Sequence, residues 1–203
     1  MVNYFNKSKS QKKIVVAMDS FKGSLTSLEA GDAVRDGILE NYPDFDVQIF
    51  PVADGGEGTV EALTFAKEHV QARTISVTGP VGTEVQAWYT IYGQAGERTA
   101  VLEMAQAAGL PLVPEEKRNP MHTTTYGVGE MICDAIACGC RKFILGIGGS
   151  ATNDAGIGML QALGFHFIDE AGKEVGYGAE ELAQVRSITT ENVLPELASC
   201  TFR

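Results

Sequence analysis

Residues 143–164 read FILGIGGSATNDAGIGMLQALG, an apolar run followed by a glycine-rich turn and a second apolar stretch. The run 143–147 predicts a buried strand, and residues 155–163 carry apolar side chains at helical spacing. Gly164 supplies a common C-terminal stop for such a helix. The stretch therefore predicts a strand, a tight turn and a helix in succession.

The same order opens the chain. A β-branched run over residues 13–18 predicts a strand that leads into the polar loop 19–23. Thr26 and Glu29 then form a capping-box pattern, which predicts the start of a helix. Apolar residues recur at helical spacing from there until residue 42, where a proline follows.

A third strand-to-helix unit lies between these two. Residues 47–52 predict a strand, residues 53–58 a glycine-rich loop, and residues 59–68 a helix. Three such units predict an α/β fold with a mostly parallel, Rossmann- or flavodoxin-like sheet covered by helices.

The pattern changes after residues 78–80, where we predict a domain boundary. Residues 85–92 and 98–104 indicate an antiparallel hairpin, and residues 165–175 indicate another around a turn at 169–172. A helix is expected over 125–137. The predicted divisions are a polar tail (1–12), a Rossmann-like α/β domain (13–78) and a second α/β domain with hairpins (79–203).

Composition narrows the function classes. The 16 Lys and Arg against 26 Asp and Glu give a net charge of -10, which disfavours binding to nucleic acid and to anionic membranes. The apolar run 14–18 is too short for a signal peptide or a membrane span, so we expect a cytoplasmic protein. The spacing of the four cysteines matches neither a zinc site nor a disulfide framework, and reduced thiols are expected.

Each of the three predicted strand-to-helix loops carries an acid. In open α/β sheets, ligands bind beyond the carboxyl ends of the strands, so Asp19, Asp54 and Asp154 could converge on one cleft. Phosphoryl transfer needs such carboxylates for Mg²⁺, backbone N–H groups for phosphate, and a cation for anionic groups.

The loop 148–154 is the strongest single candidate. Its glycines allow close backbone approach to a phosphate, and the following helix adds the partial positive charge of its N-terminus. Ser150 and Thr152 offer hydroxyl donors, while Asp154 could bind a metal or a substrate hydroxyl. The structural alternative is a tight turn in which Asn153 or Asp154 only caps the helix.

The loop 54–59 places Asp54 and Glu57 three residues apart among glycines. This arrangement suits Mg²⁺ or hydroxyl binding, and the alternative is a flexible connector with a solvated acidic tip. Neither glycine-rich loop is a Walker A motif, because neither contains Gly-Lys-Ser or Gly-Lys-Thr.

Lys22, beside Asp19 and Ser20, is the best-placed cation for a substrate carboxylate or an ATP phosphate; the alternative is a surface lysine. Arg141 and Lys142 precede the strand 143–147 and would lie about 17 Å away at its other end. The threonines 123–125 could bind an anion or cap the helix that follows them.

Taken together, the DSFKG, DGGEG and GGSATND stretches at 19–23, 54–58 and 148–154 resemble the signature motifs of the type I glycerate kinases. The resemblance implies two α/β domains with the active site between them. It also implies ATP and Mg²⁺, and conversion of D-glycerate to 2-phosphoglycerate, with the 3-phosphate as the less favoured product.

We assign site roles on this basis. Catalytic roles are predicted for Asp154, Lys22 and Asp19, and metal binding for Asp54 and Glu57. Contacts to substrate or cofactor are predicted for a set of loop residues: Ser20, Gly55, Gly56, Gly148, Gly149, Ser150, Thr152 and Asn153.

Members of the resembled family run to roughly twice this length. We therefore expect the first domain to be completed by a C-terminal half, and the 203-residue chain alone to bind ligands weakly or to be inactive. Exposed apolar surface would then favour self-association, or pairing with that half.

Two other readings stay open. Gly146, Gly148 and Ala151 satisfy a relaxed dinucleotide fingerprint, with Asp169 downstream after a predicted strand, which would suit an NAD-dependent oxidoreductase. Alternatively, the chain is a non-catalytic ligand-binding or assembly module.

Overall fold

The computed structural model describes residues 12–203, so nearly all of the predicted polar tail lies outside the described residues. The chain divides into two compact units, an N-terminal unit ending at Ala53 and a C-terminal unit from Asp54 to Arg203.

The N-terminal unit is one parallel β-α-β motif. Strand β1 (Lys13–Met18) pairs in parallel with β2 (Asp46–Pro51), and helix α1 (Ser27–Asn41) connects them. The predicted capping box is confirmed, since Glu29 N donates to Thr26 Oγ1 over 3.2 Å and Thr26 N to Glu29 Oε2 over 2.8 Å. This reciprocal pair satisfies two N–H groups at the start of the helix.

Two small residues bring α1 close to the strands. A Cβ on Gly31 would lie 2.5 Å from Ile49 Cγ2, so only glycine allows this approach of helix to strand. Ser27 Oγ donates to Met18 O over 2.6 Å and accepts from Val52 N over 3.3 Å. One hydroxyl therefore links the start of α1 to the carboxyl ends of both strands.

The C-terminal unit is built on a five-stranded mixed sheet with the order β3-β4-β5-β6-β9. The β3–β4 and β4–β5 pairs are antiparallel, whereas the β5–β6 and β6–β9 pairs are parallel. Its elements are α2 (Thr59–Thr64), β3 (Gln71–Thr78), β4 (Glu84–Tyr92), β5 (Thr99–Glu103), α3 (Ala105–Ala108), α4 (Tyr126–Ala137), β6 (Lys142–Gly146), α5 (Ile157–Ala162), β7 (His166–Ile168), β8 (Ser187–Thr189) and β9 (Thr201–Phe202).

Helix α4 packs its apolar face on this sheet and forms the core. Val128, Met131 and Ile132 are buried with Tyr89 and Leu102 of the neighbouring strands. Burial of such side chains stabilises the fold by about 1.5–3 kcal/mol each. Glycines at positions 127 and 129 let the helix approach the end of β3 and the backbone of α5, since a Cβ at either would meet a backbone oxygen within 2.3 Å.

The predicted α/β class is confirmed, and several local predictions need correction. Strand β3 was not predicted, although its polar and apolar residues alternate in the way that is typical of a half-buried strand. The strand from residue 165 forms β7 as predicted, but its full partner is β8, and only an isolated bridge joins Ile168 to Glu174. Helices α2 and α5 are shorter than predicted at six residues each.

The structure divides between Ala53 and Asp54, and the domain boundary predicted near residues 78–80 stays a prediction. Strand β3 ends at Thr78 and pairs along its length with β4, so hydrogen bonds cross the predicted boundary. The assignment of residues 13–78 to a domain completed by another half stays a prediction. Over residues 12–203, no helix is both long and apolar enough to cross a membrane.

Candidate active site

In the N-terminal unit, the predicted residues of the 19–23 loop follow β1 directly. Asp19 and Lys22 are exposed, and Asp19 Oδ1 accepts a hydrogen bond from Ser20 N over 2.7 Å. Backbone hydrogen bonds between Phe21 and Leu25 close the turn that follows. The loop thus presents an acid and a cation at the carboxyl end of a parallel strand, where ligands of α/β proteins bind.

In the C-terminal unit, the 54–58 loop and the 148–154 loop are in direct backbone contact. Gly148 N donates to Gly55 O over 2.8 Å. A Cβ on Gly148 would lie 2.6 Å from Gly56 Cα, and one on Gly146 would lie 2.7 Å from Gly55 O. The glycines predicted to contact a ligand are therefore adjacent, and their lack of side chains is what permits the contact.

The two acids of the 54–58 loop are both exposed. Asp54 Oδ1 accepts from Gly56 N over 3.2 Å, and Gly55 and Gly58 have φ of +97° and +87°. Such angles favour glycine, so the turn depends on these two positions. The loop therefore directs two carboxylates to solvent beside the contact with Gly148.

Glu103 was missed by the sequence analysis and holds the far side of this loop. It ends β5, is 2% exposed, and accepts a hydrogen bond at Oε1 from Val60 N over 2.9 Å. Burial raises its pKa, and the nearby carboxylate of Glu57 raises it further. The sequence signal for a role of Glu103 is its position as the single acid at the end of the apolar strand TAVLE, because a buried carboxylate needs a hydrogen-bond partner.

The other side of the 148–154 loop is pinned to the segment after α3. Leu110 N donates to Gly149 O over 3.0 Å, and Ala151 N donates to Ala108 O over 2.8 Å. Ser150 Oγ and Thr152 Oγ1 are 2.7 Å apart, so the two hydroxyls share a hydrogen bond. The structure therefore holds both predicted hydroxyls together on a fixed backbone.

Asp154 ends the loop with an enclosed carboxylate. It is 1% exposed; Oδ2 accepts from Thr125 N, Thr125 Oγ1 and Gly158 N, and Oδ1 accepts from Gly156 N, over 2.8–3.3 Å. These bonds tie the starts of α4 and α5 to the loop, which is the capping alternative considered for this residue. The catalytic role predicted for Asp154 stays a prediction.

Comparison with known proteins identifies the family. The sequence model described as the glycerate kinase family matches residues 14–203. The chain belongs to the glycerate kinase family.

Individual relatives of the chain are also named as glycerate kinases. It is 49% identical to the glycerate kinase of Haemophilus influenzae, with 91% of this chain and 48% of the relative aligned. It is 47% identical to the glycerate 2-kinase of Escherichia coli, with 94% and 49% aligned. The chain thus spans about half the length of the curated relatives it matches.

A solved structure gives the same result for the fold. The chain aligns with the crystal structure assigned to glycerate kinase 2 of Salmonella typhimurium LT2 at a TM-score of 0.80 and 44% identity. The alignment covers 95% of this chain and 50% of the solved chain.

The geometry of this family member does not fit the dinucleotide fingerprint. Such a motif opens a helix, whereas α5 begins at Ile157, well past Ala151. Asp169 follows β7, which lies in a separate antiparallel pair with β8 and not beside β6. The resemblance to an NAD site is therefore confined to the spacing of small residues.

Two carboxylates, those of Asp54 and Glu57, are the predicted Mg²⁺ ligands. Among the described residues 12–203, no group of three His, Cys, Asp or Glu side chains is arranged to hold a metal. Mg²⁺ commonly binds through one or two carboxylates together with water and substrate phosphates. The exposed pair Asp54 and Glu57 fits that mode of binding.

Proposed function

We propose that this chain carries part or all of a glycerate kinase that phosphorylates D-glycerate with ATP and Mg²⁺ in the cytoplasm. The observation that carries the proposal is the family match over residues 14–203, together with relatives named as glycerate kinases. The Escherichia coli relative is named a glycerate 2-kinase, which favours 2-phosphoglycerate as the product.

The two glycine loops in contact support a phosphate-binding role. Backbone at Gly148 and Gly149 is free of side chains, and Ser150 and Thr152 add hydroxyls beside it. Hydroxyls and backbone N–H groups hold phosphoryl oxygens in phosphotransferases. Because Gly148 N and Gly56 N already donate within the loops, the hydroxyls of Ser150 and Thr152 are the donors that support this role. We propose ligand contacts for them and for the adjoining Gly55, Gly56, Gly148, Gly149 and Asn153.

Asp54 and Glu57 are the residues that would hold Mg²⁺. When bound, the ion would neutralise charge on the phosphates during transfer. Both side chains are exposed, so binding needs no rearrangement of buried structure. In the 19–23 loop, Asp19 and Lys22 are proposed to act on the substrate hydroxyl and on anionic groups, with Ser20 as a further contact.

The test is ADP release from Mg-ATP with D-glycerate. It compares the 203-residue chain with a chimera that adds the remaining half of the Haemophilus influenzae glycerate kinase. We expect turnover by the chimera, and less or none by the chain alone. Identification of the phosphorylated product by NMR separates 2-phosphoglycerate from the 3-phosphate.

Each result has a distinct meaning. Turnover by the short chain means that its loops form a sufficient site. Turnover by neither protein, with both folded, would favour the non-catalytic binding module. Sedimentation of the short chain tests its predicted self-association, and a monodisperse monomer would contradict it.

A further inference from the structure

A cleft of about 290 Å³ lies in the C-terminal unit, directly against the 148–154 loop. This volume is near the lower end of small-molecule sites, which span roughly 300–1,000 Å³. The cleft contains a cation that the sequence analysis did not single out. Its lining includes Leu110, Val113, Arg118, Asn119, Ser150 and Thr152.

The walls of the cleft are fixed by buried contacts. Thr123, 1% exposed, donates from Oγ1 to Ala151 O over 2.8 Å, which joins the segment carrying Arg118 to the glycine loop. Arg118 Nε donates to Val113 O over 3.3 Å, and Val113 is 2% exposed. The guanidinium is thus anchored at one end while its side chain stays 43% exposed.

The polar groups around the cleft are arranged as donors. Asn119 Oδ1 accepts from Met121 N, which leaves the amide NH₂ as its donor side. Ser150 Oγ already accepts from Thr152 N and shares a hydrogen bond with Thr152 Oγ1. Whichever hydroxyl donates in that pair, the other O–H hydrogen can reach a ligand.

The charge on Arg118 is poorly neutralised. Within residues 12–203, its only ion pair is with Glu115, at 4.0 Å between Nη1 and Oε1, and the Glu115 side chain is 89% exposed. Arg73, by contrast, forms two hydrogen bonds of 2.9 Å with Asp134. No acid contributes to the lining of the Arg118 cleft, which therefore suits an anion.

We propose that this cleft is an anion subsite in which Arg118 binds a carboxylate or phosphate group, assisted by the hydroxyls of Ser150 and Thr152. The proposal rests on the proposed function for its two sources of anion, the carboxylate of D-glycerate and the phosphates of ATP. A guanidinium matches either group because its planar N–H fork bonds two oxygens at once. It assigns to Arg118 a binding role that the sequence analysis gave to Lys22.

The test is a protein-observed NMR titration of the 203-residue chain with D-glycerate, inorganic phosphate and ATP, each added separately. The variants are Arg118→Gln, Arg118→Lys and the matched control Arg186→Gln. Arg186 is also exposed, and its guanidinium donates to the backbone carbonyls of Ala183 and Val185. Thermal unfolding confirms that each variant is folded; if Arg118→Gln is not, Arg118→Lys carries the test.

We expect Arg118→Gln to weaken anion binding at least about tenfold, because a charge-assisted hydrogen bond is lost. The anion affinity of Arg118→Lys should lie between those of the parent and Arg118→Gln, and the affinity of Arg186→Gln should equal that of the parent. Loss of D-glycerate binding alone would assign the cleft to the carboxylate, and loss of ATP and phosphate binding alone would assign it to phosphate.

Equal binding by Arg118→Gln and the parent would overturn the proposal, as would a parent that binds none of the three anions. The glycerate kinase assay is independent of this result. Arg118-dependent phosphate binding with no turnover by the chain or the chimera would leave the subsite standing and refute the proposed function.

Discussion

The two glycine-rich loops of the C-terminal unit place their acids differently. Asp154 is 1% exposed and its carboxylate accepts four hydrogen bonds, whereas Asp54 is exposed and accepts one, from Gly56 N. Both acids belong to similar strings of glycine and polar residues after a strand. The difference teaches that such a string can supply either an acid that holds the loop or an acid that faces a ligand, and burial distinguishes them.

The largest effect is expected at Asp154. Asp154→Ala removes the acceptor for three buried donors and one partly buried donor, and should lower the free energy of unfolding by roughly 3–5 kcal/mol. Urea unfolding followed by circular dichroism measures it. Asp154→Asn keeps one oxygen and should cost less. A cost below about 1 kcal/mol for Asp154→Ala would refute the holding role.

The contact between the loops gives the next effect. Gly148→Ala would place a methyl group 2.6 Å from Gly56 Cα, and this overpacking should cost roughly 2–3 kcal/mol of unfolding free energy. Gly176→Ala is the matched control in the same unit, since its Cβ would meet the flexible Glu181 side chain at 3.4 Å. Equal stability of the two variants would mean that the loops do not need this contact.

Glu103 is a second buried acid, and its contribution to the free energy of unfolding is expected to depend on pH. Burial raises its pKa above the ordinary value of 4.5, so the folded protein keeps this proton after the unfolded chain has released it. Its contribution to unfolding free energy is therefore full below pH 4.5 and is lost as pH rises through the folded pKa.

Glu103→Gln removes that titration while leaving an oxygen to accept from Val60 N. Urea unfolding of parent and variant at a series of pH values should show the variant gaining stability relative to the parent as pH rises. Parallel profiles would contradict the raised pKa.

Secondary-structure features that depend on residues close in sequence could be predicted, whereas strand pairings that depend on residues distant in sequence could not. The Thr26–Glu29 capping box and the strand that becomes β1 depend on local residues, and both were predicted. Strand β7 has only three residues and pairs with a strand about twenty residues further on, whereas β3 carries an alternating pattern in its own sequence that was available and was not used. Long-range pairing leaves little trace in either partner's own sequence.

The site follows the same division. The three loops were predicted because each is a contiguous motif. The burial of Asp154 was not, because Thr125 supplies two of its donors from 29 residues away. Arg118 was missed for the same reason, since the chain returns to place it beside Ser150 and Thr152.

The smallest change in stability is expected for the exposed acids, and it is the most informative for function. Asp54→Asn should alter the free energy of unfolding by no more than about 0.5 kcal/mol, because its carboxylate is exposed and accepts only one weak hydrogen bond. In the chimera, the same variant should need more Mg²⁺ for half-maximal turnover, by about tenfold or more, since it removes one of the two carboxylates proposed to bind the ion.

Glu57→Gln tests the other carboxylate in the same assay, and Glu84→Gln, an exposed acid on β4, serves as the control. A raised Mg²⁺ requirement at unchanged stability would support a role for the exposed acids in binding the ion and not in stabilising the fold. An unchanged Mg²⁺ requirement for both loop variants would move the metal site away from this loop and leave its acids as a solvated tip.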